Sequence, residues 1–163
     1  MITTFIGWDN GVSGSIGIIN NDVQLFKTPI KNELSYTKVK QNISRIDFPK
    51  LMKLLEPFAS DPQVKVWLER PLVNPTRFRA TLSAIRALEA TLIVLEELRI
   101  SYEYVDSKIW QKALLPIGLK GSDVLKKASL DIGKRLFPSI DFKGYTDSDA
   151  LLIAEFHRRK ESK

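Results

Sequence analysis

The opening 28 residues restrict the fold more than any other part of the chain. Apolar runs over residues 2–8, 14–20 and 23–28 are separated only by a glycine-containing turn and by Asn20-Asn21-Asp22, so they read as three strands of an antiparallel meander. The first strand, Phe5-Ile6-Gly7-Trp8, ends on Asp9, and the turn Asn10-Gly11-Val12-Ser13-Gly14 leads straight into the second. A carboxylate at the end of an apolar strand is costly to bury alone, so a partner, a proton or a metal ion must neutralise it.

Downstream the pattern changes. Residues 30–46 are polar, lack a period and carry Lys31, Lys38, Lys40 and Arg45, which predicts an exposed loop. Asp47 is placed to cap a helix over 48–59, with Leu51, Leu54, Leu55 and Phe58 on one face and Asp61-Pro62 as its stop. Residues 64–69 read as a strand ending on Glu69, closed by Arg70-Pro71. A long amphipathic helix follows over 76–99, striped by Leu82, Ile85, Leu88, Leu92, Leu95 and Leu98, with Arg77, Arg79 and Arg86 in its first turns. A strand over 101–105 ends at Asp106, short helical material surrounds residues 108–112, Ser122 caps a helix over 123–136, and a final helix runs from Thr146 to about Arg159.

Alternation of strands and helices after the meander implies parallel strands joined by right-handed crossovers, with helices on both faces of a mixed sheet. This order resembles the ribonuclease H-like architecture, an α/β fold with a mixed five-stranded sheet in which a three-strand antiparallel meander is joined to parallel strands and flanked by helices. The 163 residues, 44% of them apolar, suit one such domain over residues 1–163.

Composition narrows the chemistry. With no cysteine, thiolate metal sites are excluded, and a metal would be held by oxygen or by the single histidine, His157, which also leaves the serines no plausible Ser-His-Asp triad. His157 is expected at the surface near a helix C-terminus. No apolar run approaches the ~20 residues of a membrane span and no secretory leader is evident, so a cytoplasmic protein without membrane partners is expected. The 25 Lys and Arg against 19 Asp and Glu give a net charge of +6, which favours a polyanionic partner such as nucleic acid.

In a ribonuclease H-like sheet the first strand is central and the strand ending at Glu69 lies beside it, bringing Asp9 and Glu69 together. The cluster Tyr145-Thr146-Asp147-Ser148-Asp149 at the start of the last helix would add a third carboxylate. Taken alone, this cluster also reads as a helix cap, with Thr146 at the N-cap and acidic residues matching the helix dipole. Like charges at close range need a cation between them, and an oxygen-only ligand set suits Mg²⁺, with Mn²⁺ as a substitute. Two such ions about 4 Å apart would clamp a scissile phosphate.

Four stretches resemble the RuvC-like Holliday junction resolvases, in particular those of bacteriophages. They are Gly7-Trp8-Asp9-Asn10-Gly11-Val12-Ser13-Gly14; Leu68-Glu69-Arg70-Pro71; Trp110-Gln111-Lys112 through Lys127-Ala128-Ser129 to Leu136-Phe137-Pro138; and Asp149-Ala150-Leu151-Leu152-Ile153-Ala154. The resemblance implies that Asp9, Glu69 and Asp149 are catalytic metal ligands for two ions per site. It places a fourth aspartate three residues before Asp149, where this chain has Thr146, and Asp147 is the substitute. On a regular helix residues two apart point about 200° away from each other, so Asp147 could serve only from a frayed first turn. The family's usual proline after the first aspartate is Asn10 here.

The resemblance further implies crossover-junction endonuclease activity on four-way DNA junctions, in the bacterial host cytoplasm if the protein is phage-encoded. It implies DNA contacts from Lys120, Lys126 and Lys127, with Lys127 the best match, and a homodimer through helix 76–99, whose Arg77 and Arg79 are further candidates for DNA. Other readings remain open: a ribonuclease H-like nuclease acting on RNA–DNA hybrids or flaps, or a binding-only relative. An actin-like ATP-binding module is disfavoured because 163 residues leave no room for its second lobe.

Overall fold

The computed structural model of the chain describes residues 3–162. Ile2, at the start of the expected first strand, and Met1 and Lys163, at the ends of the expected domain, lie outside the described residues. The meander forms as expected: β1 (Thr4–Asp9), β2 (Ser15–Ile19) and β3 (Val23–Lys27) pair antiparallel. β6 (Val64–Glu69) then joins β1 in parallel and β7 (Tyr102–Val105) joins β6 in parallel, giving the order β3-β2-β1-β6-β7. The sheet is five-stranded and mixed, with β1 at its centre.

The stretch expected to be an exposed loop contains a separate hairpin, β4 (Ile30–Leu34) paired antiparallel with β5 (Asn42–Ile46). Its hydrogen bonds are backbone and cross-strand: Ser44 Oγ donates to Asn32 Oδ1 at 2.7 Å, and Arg45 pairs with Glu33. Because only Ile46 is buried, neither strand shows the alternation that marks a half-buried sheet.

Helix α1 (Phe48–Leu55) begins where Asp47 accepts a hydrogen bond from Lys50 N at 3.3 Å, and a short 3₁₀ turn, Glu56–Phe58, extends it. Helix α2 (Phe78–Glu97) turns Ala87, Thr91, Val94 and Leu95 inward. Ile85, expected on the buried stripe, is 42% exposed, so the stripe is rotated by part of a turn from the expected one. Helices α3 (Ser107–Leu114), α4 (Ser122–Leu136) and α5 (Asp149–Glu161) complete the chain. Gly121, with φ +92°, is the cap residue of α4, and Ser122 is its first helical residue. No helix among the described residues is long and apolar enough to cross a membrane.

The sheet separates two apolar clusters. One joins Ile6, Trp8, Ile16 and Leu68 to Leu51, Leu55, Val94 and Leu95 of the helices on that face. The other gathers Phe5, Trp67, Trp110 and Phe142 around α5, in which Leu151, Leu152 and Ile153 are fully buried. Each of those three side chains contributes about 1.5–3 kcal/mol by leaving water.

Helix α5 reaches the sheet because the strands beneath it lack side chains. Gly7 and Gly17 face each other across β1 and β2, and a Cβ on Gly7 would collide with Ala150 O and Ala154 N, while one on Gly17 would meet the Leu151 backbone. Ala150 and Ala154 complete the close approach from the helix side. Backbone is thus packed on backbone, which fixes the start of α5 against the end of β1 with little freedom to slide.

His157 departs from expectation. It is buried, not on the surface, with its ring stacked on Trp67 at 4.1 Å and edge-on to Phe156 at 4.9 Å. Helix α5 is covered on nearly all sides, so a position near its C-terminus is still interior. Burial and the neighbouring Lys160 lower the imidazole pKa to about 4.

Candidate metal centre

At the carboxyl edge of the sheet, three elements from opposite ends of the chain bring their acids together. Carboxylate oxygens of Asp9, Asp147 and Asp149 lie within 4.8 Å of one another. The β1–β6 register runs from Thr4 opposite Val64 to Trp8 opposite Leu68, so Asp9 and Glu69 end adjacent strands side by side. Asp9, Asp147 and Asp149 therefore face one small volume, while Glu69 ends the strand next to Asp9 and is outside the group that lies within 4.8 Å.

Three of them, Glu69, Asp149 and Asp147, have hydrogen-bond donors of their own. Trp110, fully buried on α3, donates Nε1–H to Glu69 Oε1 at 2.9 Å. Ser129, buried on α4, donates to Asp149 Oδ1 and accepts from Ser148 N at 3.1 Å, while Ser148 Oγ donates to Ser129 O at 2.6 Å. These bonds tie the end of the α4–α5 connection to the middle of α4. Thr146 Oγ1 donates to Asp147 Oδ2 at 3.0 Å. Trp110 and Ser129 lay within the stretches that carry the sequence resemblance, but nothing in the sequence marked them as supports for particular carboxylates. Their partners become visible only when α3 and α4 are packed.

The position of Asp147 is resolved by where α5 starts. The helix begins at Asp149 with Ser148 as its cap residue, three positions later than the expected start at Thr146, and Thr146 is not the N-cap. Asp147 thus stands outside the helix, and the 200° separation expected on a regular helix does not apply. Its side chain turns toward Asp9 and Asp149 and is almost fully buried, at 8% exposure.

The electrostatics of this cluster are those of crowded, dehydrated anions. The Asp9 carboxyl is held well above its ordinary value by burial, then by Glu69 and Asp147. Burial lifts Glu69 to about 7 against the opposing hydrogen bond from Trp110, and burial with the Asp147 charge lifts Asp149 to about 7. Among the described residues the cation in reach is Lys126 on α4, with Nζ 3.9 Å from Asp147 Oδ2. One ammonium does not balance four carboxylates, so the oxygen-only donor set fits hard divalent cations.

The basic candidates divide. Lys126, Ser129 and Gly133 share the α4 face toward the acidic cluster, and a Cβ on Gly133 would collide with Ser148. Lys127, the family's best match, is one step around the helix and exposed, as is Lys120 in the preceding turn. Arg77 and Arg79, at the start of α2, are also exposed.

The mixed sheet with central β1, its flanking helices and its acidic carboxyl edge define a ribonuclease H-like fold. The chain is similar in structure to RuvC of Thermus thermophilus. A structure described as T. thermophilus RuvC in complex with Holliday junction substrate matches with a TM-score of 0.62 and 14% identity, over 98% of this chain and 97% of that one. A second T. thermophilus RuvC structure matches with a TM-score of 0.57 and 15% identity over the same shares. The fold is RuvC-like along nearly the whole length. No protein-family model and no curated protein sequence matches the chain.

Proposed function

We propose that this chain is a metal-dependent, structure-selective DNA endonuclease that resolves Holliday junctions or related branched DNA, acting as a crossover junction endodeoxyribonuclease. The observation that carries the reading is the convergence of Asp9, Asp147 and Asp149, with Glu69 beside Asp9, at the carboxyl edge of the central strand. The RuvC-like fold, one of whose solved relatives is described in complex with a Holliday junction substrate, supports branched DNA as the substrate. Net charge +6 on a chain with an acidic centre is consistent with a phosphate-tracking surface around that centre.

In this reading Asp9, Glu69, Asp147 and Asp149 are the catalytic ligands of two Mg²⁺ ions, which Mn²⁺ can replace. Bound divalent cations supply an acidified attacking water and neutralisation of the phosphate charge. The chain's own contribution is positional. Trp110 fixes Glu69 and Ser129 fixes Asp149, and the buried edge keeps their oxygens from being spent on bulk water. Hydrolysis joins a water oxygen to phosphorus, breaks one ester P–O bond and returns a proton to the leaving oxygen. Lys126 lies where it can offset phosphate charge, and Lys120, Lys127, Arg77 and Arg79 are candidates for contacts further along the DNA. A homodimer through α2, whose Ile85 and Ile93 are 42% and 47% exposed, would supply one site for each of two strands.

A panel of end-labelled substrates tests this reading: a four-way junction, a flap, a linear duplex and an RNA–DNA hybrid, each with Mg²⁺. Preferential, paired cutting of the junction is expected. Preferential cutting of the hybrid would move the activity to RNA, and tight junction binding without cutting would leave a binding-only protein.

A further inference from the structure

The same row of the sheet that carries Asp9 continues away from the carboxylates. Asp9 is paired with Ser15, and Ser15 with Lys27, so all three side chains stand on the face covered by α5. Two strand spacings put Lys27 about 10 Å from Asp9 on the backbone. Between them and Asp147 lies a cavity of about 310 Å³, lined among others by Ser15, Lys27, Thr28, Tyr145 and Thr146.

Two features of that cavity are incomplete as they stand. Ser15 and Thr28 are each only 4% exposed, yet among the described residues neither hydroxyl has a hydrogen-bond partner. A buried hydroxyl without a partner costs stability and calls for a reason. Lys27, meanwhile, pairs with no carboxylate among the described residues. Its ammonium lies 5.4 Å from the centre of the Tyr145 ring, and that ring is pinned by its own hydroxyl, which donates to Leu25 O at 3.1 Å. A cation is therefore held in place beside an acidic centre without an anion of its own.

We propose that this cavity is the subsite for the nucleotide next to the scissile phosphate, with Lys27 binding that nucleotide's phosphate and the Ser15 and Thr28 hydroxyls meeting its sugar or base edge. The inference rests on the nuclease reading above and extends it to a named neighbouring subsite. The row Asp9–Ser15–Lys27 sets the direction in which the strand leaves the carboxylates. An ammonium on a phosphate is a point-charge contact without base information, whereas the hydroxyls can both donate and accept.

The test is a binding cycle on four-way junctions that carry one methylphosphonate, a linkage without charge, at successive positions around the cut. Wild type is expected to lose about tenfold in affinity at one linkage flanking the scissile one, the size of a charge-assisted contact. Lys27→Met should lose about as much on the unmodified junction, lower the salt slope by about one and become indifferent to that methylphosphonate. Lys27→Arg should restore the position dependence. Thr28→Val should melt no lower than wild type, since an unpartnered hydroxyl is gone, and still raise KM with kcat held. Methylphosphonate profiles that coincide for wild type and Lys27→Met, in a protein that binds and cuts junctions, would overturn the subsite alone. Absence of both junction binding and cutting would overturn the nuclease reading and the subsite with it.

Discussion

Removing the Glu69 charge should make the metal-free protein more stable, and by an amount that depends on pH. The unfolded chain releases the Glu69 proton near pH 4.5, but in the folded chain burial and the neighbouring acids keep it to about 7. Between those values the folded state binds more protons than the unfolded one, so stability falls as pH rises, and the loss is complete above about 7. A difference of that size corresponds to roughly 3 kcal/mol, and because Glu69 and Asp9 titrate as a pair the part removable at one residue is smaller, on the order of 2 kcal/mol. Glu69→Gln keeps an oxygen for the Trp110 Nε1–H and cannot ionise. In chelator at pH 8 it should melt about 4–8 °C above wild type, a chain of this length gaining about 2–4 °C per kcal/mol. At pH 4.5 or below the gain should shrink toward zero. Differential scanning calorimetry of both proteins across pH 4–8 measures this directly. A gain independent of pH, or a lower melting temperature at pH 8, would refute the reasoning that these acids are held together against their own repulsion.

Other outcomes follow from the same geometry. Millimolar Mg²⁺ should raise the melting temperature of wild type at pH 8 and raise that of Glu69→Gln by less, because an ion that binds only the folded state stabilises it in proportion to its affinity. Trp110→Phe keeps one aromatic ring but opens a small void and deletes the donor to Glu69, so it should lower the melting temperature by several degrees and, assayed below that transition, reduce cleavage rate or Mg²⁺ affinity by about 10–100-fold, read from initial rates at varied Mg²⁺. Gly7→Ala drives a methyl group into the Ala150 and Ala154 backbone and should cost about 3 kcal/mol or more in urea denaturation. The His157 pKa is lowered to about 4 by burial, so its contribution is present above about pH 6.5 and lost as pH falls toward 4. His157→Phe, which can still stack on Trp67, should flatten the acid limb of the stability profile over that window.

The parts of this molecule that were legible in the sequence are those in which one residue type answers a local demand. Apolar runs interrupted by short turns identified the meander, and the carboxylates that end two of the strands stood out because nothing apolar explained them. Asp47 was readable as a cap because its side chain acts on Lys50 N, three residues away. What stayed hidden depended on partners distant in the chain. The β4–β5 hairpin buries only Ile46 fully, so no alternation betrayed it. Thr146-Asp147-Ser148-Asp149 offers several residues able to cap a helix, and the start at Asp149 is chosen by the Ser129–Ser148 bonds from α4. That late start frees Asp147 to turn toward Asp9. His157 was misjudged for a related reason: a place near the end of α5 suggested exposure, whereas the glycines at 7 and 17 let the sheet close on one side of the helix, with Trp67 of β6 stacked on the imidazole, and α3 and α4 pack against the helix as well.

The most direct test of the central claim is cleavage of a labelled four-way junction with Mg²⁺ by wild type, Asp9→Asn and Asp147→Asn, beside a gel-shift measurement of junction binding in chelator. Wild type should cut, and each variant should lose at least about a hundredfold in rate while binding the junction as tightly as wild type or more tightly, since one negative charge near the phosphates is gone. Cutting by Asp9→Asn at the wild-type rate, or cutting by wild type that persists in excess chelator, would contradict the assignment of these carboxylates to a metal-dependent nuclease site.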